Sequence, residues 1–239
     1  MAQGFDMTPS SAFTTTTVAT AERVTAFLRK VYGWMFVGLG VTASVAFAVA
    51  NTSAAQVLAA NRMLFFGLVI AELGLVFYLS ARVAKLSPTT AAGLFLAYSA
   101  LNGVTLSMIL LMYTGTSIAT TFVVTAGMFG ALALFGTVTR RSLAGVGQFA
   151  FMGLIGVILA SLVGMFLHSA GLQFIISVVG VIVFTALTAW DAQRLKQWAV
   201  ATPEGQTGSY AVVGALSLYL DFINLFLFML RFLGGGRRN

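Results

Sequence analysis

The chain has 239 residues, of which 59% are hydrophobic and 8% are charged, and its formal net charge is +7. A water-soluble domain usually carries about 25% charged residues, so this composition excludes a soluble globule and indicates a polytopic membrane protein. Cysteine is absent, which excludes a disulfide framework and a cysteine nucleophile. No basic run exceeds two residues. The basic excess is therefore expected to orient the chain in the lipid bilayer, and no nucleic-acid partner is expected.

The first 22 residues are rich in threonine and serine, and they lack the basic start and apolar run of a secretory signal. We expect a disordered tail over 1–22, a membrane domain over 23–233 and a basic tail over 234–239. Within the membrane domain, seven apolar segments are each long enough to cross a hydrocarbon core of about 30 Å as a helix. The predicted spans are 31–50, 63–82, 90–111, 117–138, 147–167, 171–191 and 209–232.

The predicted fold class is all-α. Apolar residues follow one another within the spans, whereas the strands of a membrane β-barrel alternate apolar and polar residues over segments of about 10 residues. All three prolines (Pro9, Pro88 and Pro203) fall outside the spans, so no proline kink is expected. The connection from Ala192 to Ser209, between the last two spans, is roomy and is expected to be a loop.

Basic residues are unevenly distributed between the two ends of the predicted spans. With the N-terminus in the cytoplasm, most lysines and arginines lie on the cytoplasmic side, as the positive-inside rule requires. These residues are Arg23, Arg29, Lys30, Arg82, Lys85, Arg140, Arg141, Arg194 and Lys196. On the other side lie Arg62 and, near the end of the chain, Arg231, Arg237 and Arg238. Either the last segment crosses and the basic tail is an exception to the rule, or the segment re-enters and the tail is cytoplasmic. We favour crossing, because 209–232 is long enough.

The seventh span carries a polar stripe in an otherwise apolar helix. Gly214, Ser217, Asp221 and Asn224 recur every three or four residues, so they share one helix face. A carboxylate at bilayer depth costs about 2.5–3.5 kcal/mol and is normally held there by a partner or by water. This pattern predicts a central helix facing an interior cavity. The alternative is a single polar contact that joins two helices.

Asp191 ends the sixth span and is the second acidic residue of interest. Arg194 lies three residues further on, so a local ion pair is one interpretation. The other is a pair with Asp221, because two carboxylates on consecutive helices can meet near the cytoplasmic side and then titrate as a unit. Such a pair predicts a proton sensor or a cation site. Calcium prefers carboxylate and carbonyl oxygens, so Asp191 and Asp221 are the candidate Ca²⁺ contacts.

Three further polar residues of the early spans are candidates for the same function. Arg82 closes the second span and is either an interfacial anchor or a group that reaches a carboxylate and locks the path. Glu72 lies ten residues earlier, about 15 Å along a helix, so the two cannot neutralise each other directly. Asn102 in the third span either joins helices or lines a path. The candidate pore-lining residues are Glu72, Asn102, Ser217 and Asn224.

Four segments of the chain together resemble the Bax inhibitor-1 family of membrane proteins, in particular its bacterial, YccA-like branch. The segments are AELGL (71–75), ALNGVTLS (100–107), FTALTAWDAQ (184–193) and ALSLYLDFINLF (215–226). The resemblance runs from about residue 24 to 233. It implies seven helices with the last one central, and an aspartate pair matching Asp191 and Asp221 with an arginine matching Arg82 as their counter-ion. One departure is Ser142, where relatives often place an acidic residue.

The function that this resemblance implies is a pH-sensitive calcium leak. Deprotonation, or another change of charge at the aspartate pair, is expected to free Arg82 and open a cytoplasmic exit. Calcium is then the transported ion, and no cofactor is expected. The bacterial character of the resemblance also suggests a multi-pass protein of the plasma (inner) membrane.

Two other functions fit parts of the pattern. An intramembrane aspartyl protease also needs two aspartates on neighbouring helices. Such enzymes carry Gly-x-Gly-Asp and Pro-Ala-Leu motifs, whereas Asp221 follows Leu-Tyr-Leu, so we do not expect an enzyme. The remaining alternative is a regulatory protein, because the resemblance implies that the YccA-like branch modulates a membrane-bound protease. Such a regulatory role is compatible with a leak.

Overall fold

A computed structural model describes residues 10–167 and 169–234, and over these residues the chain is helical almost throughout. Seven of the helices there are long and apolar enough to cross a membrane, which confirms the predicted fold class. The helices are α1 (Ser10–Ala50), α2 (Ser53–Ala60), α3 (Arg62–Arg82), α4 (Pro88–Met112), α5 (Gly115–Val138), α6 (Ala144–Leu167), α7 (Ala170–Ala201) and α8 (Thr207–Leu233). All except α2 are candidate spans.

The N-terminal tail differs from the expectation. Residues 1–9 and 235–239 lie outside the described residues, but α1 already begins at Ser10, so the segment from there to Glu22 is helical. The physical reason is that extending an existing helix costs far less than starting one, and neither glycine nor proline interrupts this segment. With 41 residues, α1 is about 60 Å long and extends well beyond the hydrocarbon core.

Two connections are also more helical than the sequence predicted. The helix α2 occupies most of the connection after the first span, but with 8 residues it is too short to cross. The helix α7 continues to Ala201, which shortens the expected loop from Ala192 to Ser209 to the residues 202–206. Here Leu195 and Ala199 are buried at a spacing of four residues, so the added turns of α7 still pack on the bundle.

The last helix is central, as expected. It packs against α1, α3, α4, α5 and α7, and 72% of its span is buried, compared with at most 39% for any other candidate span. The peripheral helices instead expose large apolar side chains, among them Phe36, Phe77 and Phe149. A continuous apolar surface of this kind fits lipid rather than water. The arrangement therefore places most of α8 in the protein interior.

Glycines let α5 and α6 approach α7 closely beside the candidate site. A Cβ atom on Gly136 would collide with the backbone carbonyl of Ala189, and one on Gly147 would collide with the indole of Trp190. Small residues at such crossings allow backbones to come into contact in membranes, where packing drives helix association. The turn of α7 that leads into Asp191 is thus held tightly from one side.

Candidate ion-gating site

The polar stripe of α8 faces α7. Gly214 lies against the side chain of Leu195, and Ser217 Oγ accepts a hydrogen bond of 3.4 Å from Arg194 Nη2. Asp221 follows one turn later and is buried. Its Oδ2 atom has no hydrogen-bond partner among the residues that the structure describes. A buried carboxylate oxygen left without a donor is costly, so the stripe marks a site rather than a packing contact.

The structure brings Asp191 and Asp221 together. Both side chains are buried, at 7% and 5% exposure, and the two carboxyl groups interact electrostatically. The Nη2 atom of Arg194 lies 3.1 Å from Asp191 Oδ1, and its charge also acts on Asp221. The site is therefore a cluster of two buried carboxyl groups and one half-buried guanidinium, which we call the gate cluster.

Aromatic side chains hold Arg194 in this position. Its guanidinium lies 4.8 Å from the ring centroid of Trp190 and 5.1 Å from that of Trp198. A cation within about 6 Å of an indole face is stabilised by the quadrupole of the ring. The two tryptophans are each four residues from Arg194 along α7, so a single helix supplies the arginine and both of its aromatic neighbours.

The counter-ion expected from the resemblance is not the one at the gate cluster. Arg82 is the last residue of α3, its side chain is exposed, and it forms no ion pair within 10–167 and 169–234. The reason is the position of α3 at the periphery of the bundle, where only 11% of its span is buried. Its basic end is placed to anchor the helix at the membrane surface. Arg194, which the sequence left as a local alternative, occupies the position beside Asp191.

Glu72 and Asn102 belong to a second polar network on the opposite side of α8. Thr105 Oγ1 and Asn102 Nδ2 donate hydrogen bonds of 2.9 and 3.2 Å to the Glu72 carboxylate. Tyr219 donates its hydroxyl proton to Asn102 Oδ1 over 3.0 Å, and the same hydroxyl lies 2.6 Å from Thr42 Oγ1. These contacts join α1, α3 and α4 to α8. We call this network the tether.

The four candidate pore-lining residues therefore separate into two pairs. Ser217 and Asn224 lie on the gate-cluster side of α8, whereas Glu72 and Asn102 are engaged in the tether. Beyond Asp221, Asn224 lines a cavity of about 370 Å³ between α6, α7 and α8. Ser161, Gln173 and Arg231 also line this cavity. Polar side chains on the gate-cluster side of α8 therefore extend from Ser217 to Arg231.

The gate cluster offers two carboxyl groups as candidate ligands for a metal ion. Within the residues that the structure describes, no three or more His, Cys, Asp or Glu side chains come together at a position that could hold a metal. Calcium usually takes six to eight oxygen ligands. Two carboxyl groups alone therefore supply fewer ligands than a resident calcium ion requires.

Sequence reasoning did not identify a clamp formed by the end of α7. The side chain of Gln193 accepts a hydrogen bond from Leu143 N and donates one to Arg141 O, both at 2.8 Å. Lys196 Nζ donates to Thr137 O over 3.0 Å. The residues that flank Arg194 thus fix the connection between α5 and α6. The glutamine ends the segment FTALTAWDAQ, but no local pattern shows what it contacts.

Replacement of Tyr219 by Phe tests the tether. The change removes the hydroxyl that joins Asn102 to Thr42 and leaves buried polar atoms unpaired, so we expect the free energy of unfolding to fall by about 1–2 kcal/mol. Thermal unfolding of the purified protein in detergent measures this. Tyr98→Phe is the matched control, because the hydroxyl of Tyr98 makes no hydrogen bond within the described part of the chain. Equal losses in both variants would contradict a specific role for Tyr219.

Sequence comparison with known proteins finds a matching family model and several bacterial relatives. A family model described as "Inhibitor of apoptosis-promoting Bax1" matches residues 24–239. The inner membrane protein YbhL of Escherichia coli is 51% identical over 215 residues, which cover 88% of this chain and 92% of that protein. A protein of Borreliella burgdorferi is 45% identical over 216 residues, covering 89% and 93%. One from Deinococcus radiodurans is 40% identical over 213 residues, covering 88% and 91%.

Proposed function

The chain belongs to the Bax inhibitor-1 family, and from this membership and the gate cluster we propose that it is a pH-sensitive leak channel for calcium or other cations. The protonation state of Asp191 and Asp221 gates the leak, and Arg194 is their counter-ion in the arrangement described above. The protein acts in the bacterial inner membrane with its N-terminus in the cytoplasm, an orientation supported by the basic residues at that end of the spans.

One observation carries the proposal: two buried carboxyl groups share a site with a single, half-buried guanidinium. When the two aspartates share one proton, the charges of the gate cluster cancel. When both are deprotonated, one negative charge remains uncompensated, and such a charge is costly away from water. The compact arrangement of α7 against α8 therefore favours the state with one proton bound.

The direction of the pH dependence follows from this count of protons. A state that binds more protons gains stability as the pH falls, and loses it as the pH rises. Deprotonation leaves two like charges side by side and favours the separation of α7 from α8, with water and cations entering between them. The leak therefore increases as the pH rises through the range in which the pair titrates.

The path of the ions runs along the polar stripe of α8. Ser217, Asp221 and Asn224 succeed one another on this face, and the cavity at Asn224 continues the path towards Arg231. Each of these three side chains carries an oxygen atom, the kind of ligand that calcium prefers. The hydrogen bonds that engage Glu72 and Asn102 support a structural role for them outside the path.

Ion flux from liposomes that contain the purified protein tests the proposal. Calcium release, followed with an indicator dye at a series of pH values, is expected to exceed that from protein-free liposomes and to increase with pH. A release equal to that of protein-free liposomes at every pH would exclude a leak. A release that is elevated but independent of pH would exclude gating by the aspartate pair.

A further inference from the structure

A large crevice opens at the basic end of the bundle, and no residue of the gate cluster lines it. Its volume is about 1010 Å³. The walls are the first part of α1, the connection between α5 and α6, and the last turns of α7. Three of the lining residues are cationic, namely Arg140, Arg141 and Lys196, and none of the lining residues is acidic. The crevice is therefore suited to an anionic ligand.

The cationic groups stand on a backbone that the α7 clamp holds in place. Gln193 bonds the main chain of Arg141 and Leu143, and the ammonium group of Lys196 is fixed at Thr137 O. The side chains of Arg140 and Arg141 are exposed and form no ion pair within 10–167 and 169–234. Two neighbouring guanidinium groups provide the planar donors that bind phosphate oxygens most effectively.

The size and position of the crevice favour a phospholipid as the ligand. Cavities of about 300–1,000 Å³ hold whole drug-sized ligands, so this volume exceeds what a single phosphate ion requires. Its wall includes the apolar side chains of Val24 and Val200, which can contact the start of an acyl chain. It also lies where α5, α6 and α7 reach the expected cytoplasmic surface, and basic pockets between helices at that level bind anionic headgroups.

We propose that this crevice binds the phosphate group of an anionic phospholipid from the adjacent leaflet, with Arg140 and Arg141 as the principal donors. A lipid bound there contacts α7, which also supplies Asp191 and Arg194 to the gate cluster. The site is distinct from the leak path, and its test does not involve ion flux. Failure of one proposal therefore leaves the other standing.

Native mass spectrometry of the full-length protein tests this site. The protein is mixed in detergent with phosphatidylglycerol or with zwitterionic phosphatidylcholine, and the bound lipid is counted. We expect one phosphatidylglycerol molecule to be retained preferentially. The double variant Arg140→Gln/Arg141→Gln is expected to bind it at least about tenfold more weakly, because each basic residue near a membrane surface contributes to the binding of anionic lipid.

The matched control is Arg29→Gln/Lys30→Gln, which removes the same charge from exposed residues of α1 that do not line the crevice. This control is expected to retain the lipid as the wild type does. Equal weakening in both double variants would overturn the proposal, as would equal retention of the two lipids by the wild type. Displacement of the bound lipid by an equal concentration of inorganic phosphate would also overturn it, because the ligand would then be a free anion.

Discussion

Replacement of Asp221 by Asn is expected to abolish the pH dependence of the calcium leak and to hold the leak at its low level. With an amide at this position, Asp191 and Arg194 compensate each other without a bound proton. The gate cluster then stays neutral at every pH at which the carboxylate and the guanidinium are both charged. No negative charge then accumulates to separate α7 from α8. Calcium release from liposomes, measured as a function of pH, gives the result directly.

The matched control for this change is Glu22→Gln, which converts an exposed acid outside the gate cluster to an amide. It is expected to preserve both the leak and its increase with pH. The double variant Asp191→Asn/Asp221→Asn provides a second comparison. It leaves Arg194 without a carboxylate, and we expect it to lower stability while also removing the pH response. A leak from Asp221→Asn that still increases with pH as in the wild type would exclude the aspartate pair as the sensor.

Replacement of Arg194 by Gln is expected to have the largest effect on stability. Removing one partner of a buried ion pair leaves the other charge uncompensated, which costs about 3–5 kcal/mol in a fully buried site. The side chain of Arg194 is 29% exposed, so solvent screening reduces the expected loss to about 1–3 kcal/mol. Without the guanidinium, two protons instead of one are needed for a neutral gate cluster. The leak should therefore depend more steeply on pH.

Arg82→Gln is the control that decides between the two arginines. Arg82 is exposed at the end of α3, so we expect this variant to unfold at the wild-type temperature and to retain the wild-type pH profile. Thermal unfolding and flux assays on both variants give the comparison. A larger effect from Arg82→Gln than from Arg194→Gln would show that the arginine of the second span, and not the one in α7, compensates the aspartates.

Much of the fold was predictable because the bilayer imposes simple rules on a spanning helix. Runs of consecutive apolar residues marked the seven spans, and the polar stripe around Asp221 marked α8 as the central helix. The ends of helices were less predictable. The hydropathy of α7 falls after Asp191 because Arg194 and Lys196 are charged. The helix nevertheless continues to Ala201, since Leu195 and Ala199 still pack on the bundle.

The partners within the site were harder to predict because they depend on which helix faces meet. The spacing of Asp191 and Arg194 allowed a local pair, while the resemblance favoured Arg82, and nothing in the local sequence ranks two arginines on different helices. Similarly, Asn102 was recognised as polar and Glu72 as in need of a partner. Their contact depends on the crossing of α3 with α4, which no periodicity along either helix specifies.

The tether described above restricts how the proposed leak is able to open. The hydroxyl of Tyr219 is bonded towards α1 and α4, whereas the charges that act on Asp221, two residues later, lie on α7. In the proposed leak, α8 therefore stays joined to α1, α3 and α4 when the contact between α7 and α8 opens. The ions would then pass along the side of α8 that faces α7, and the side of α8 that carries the tether would stay closed.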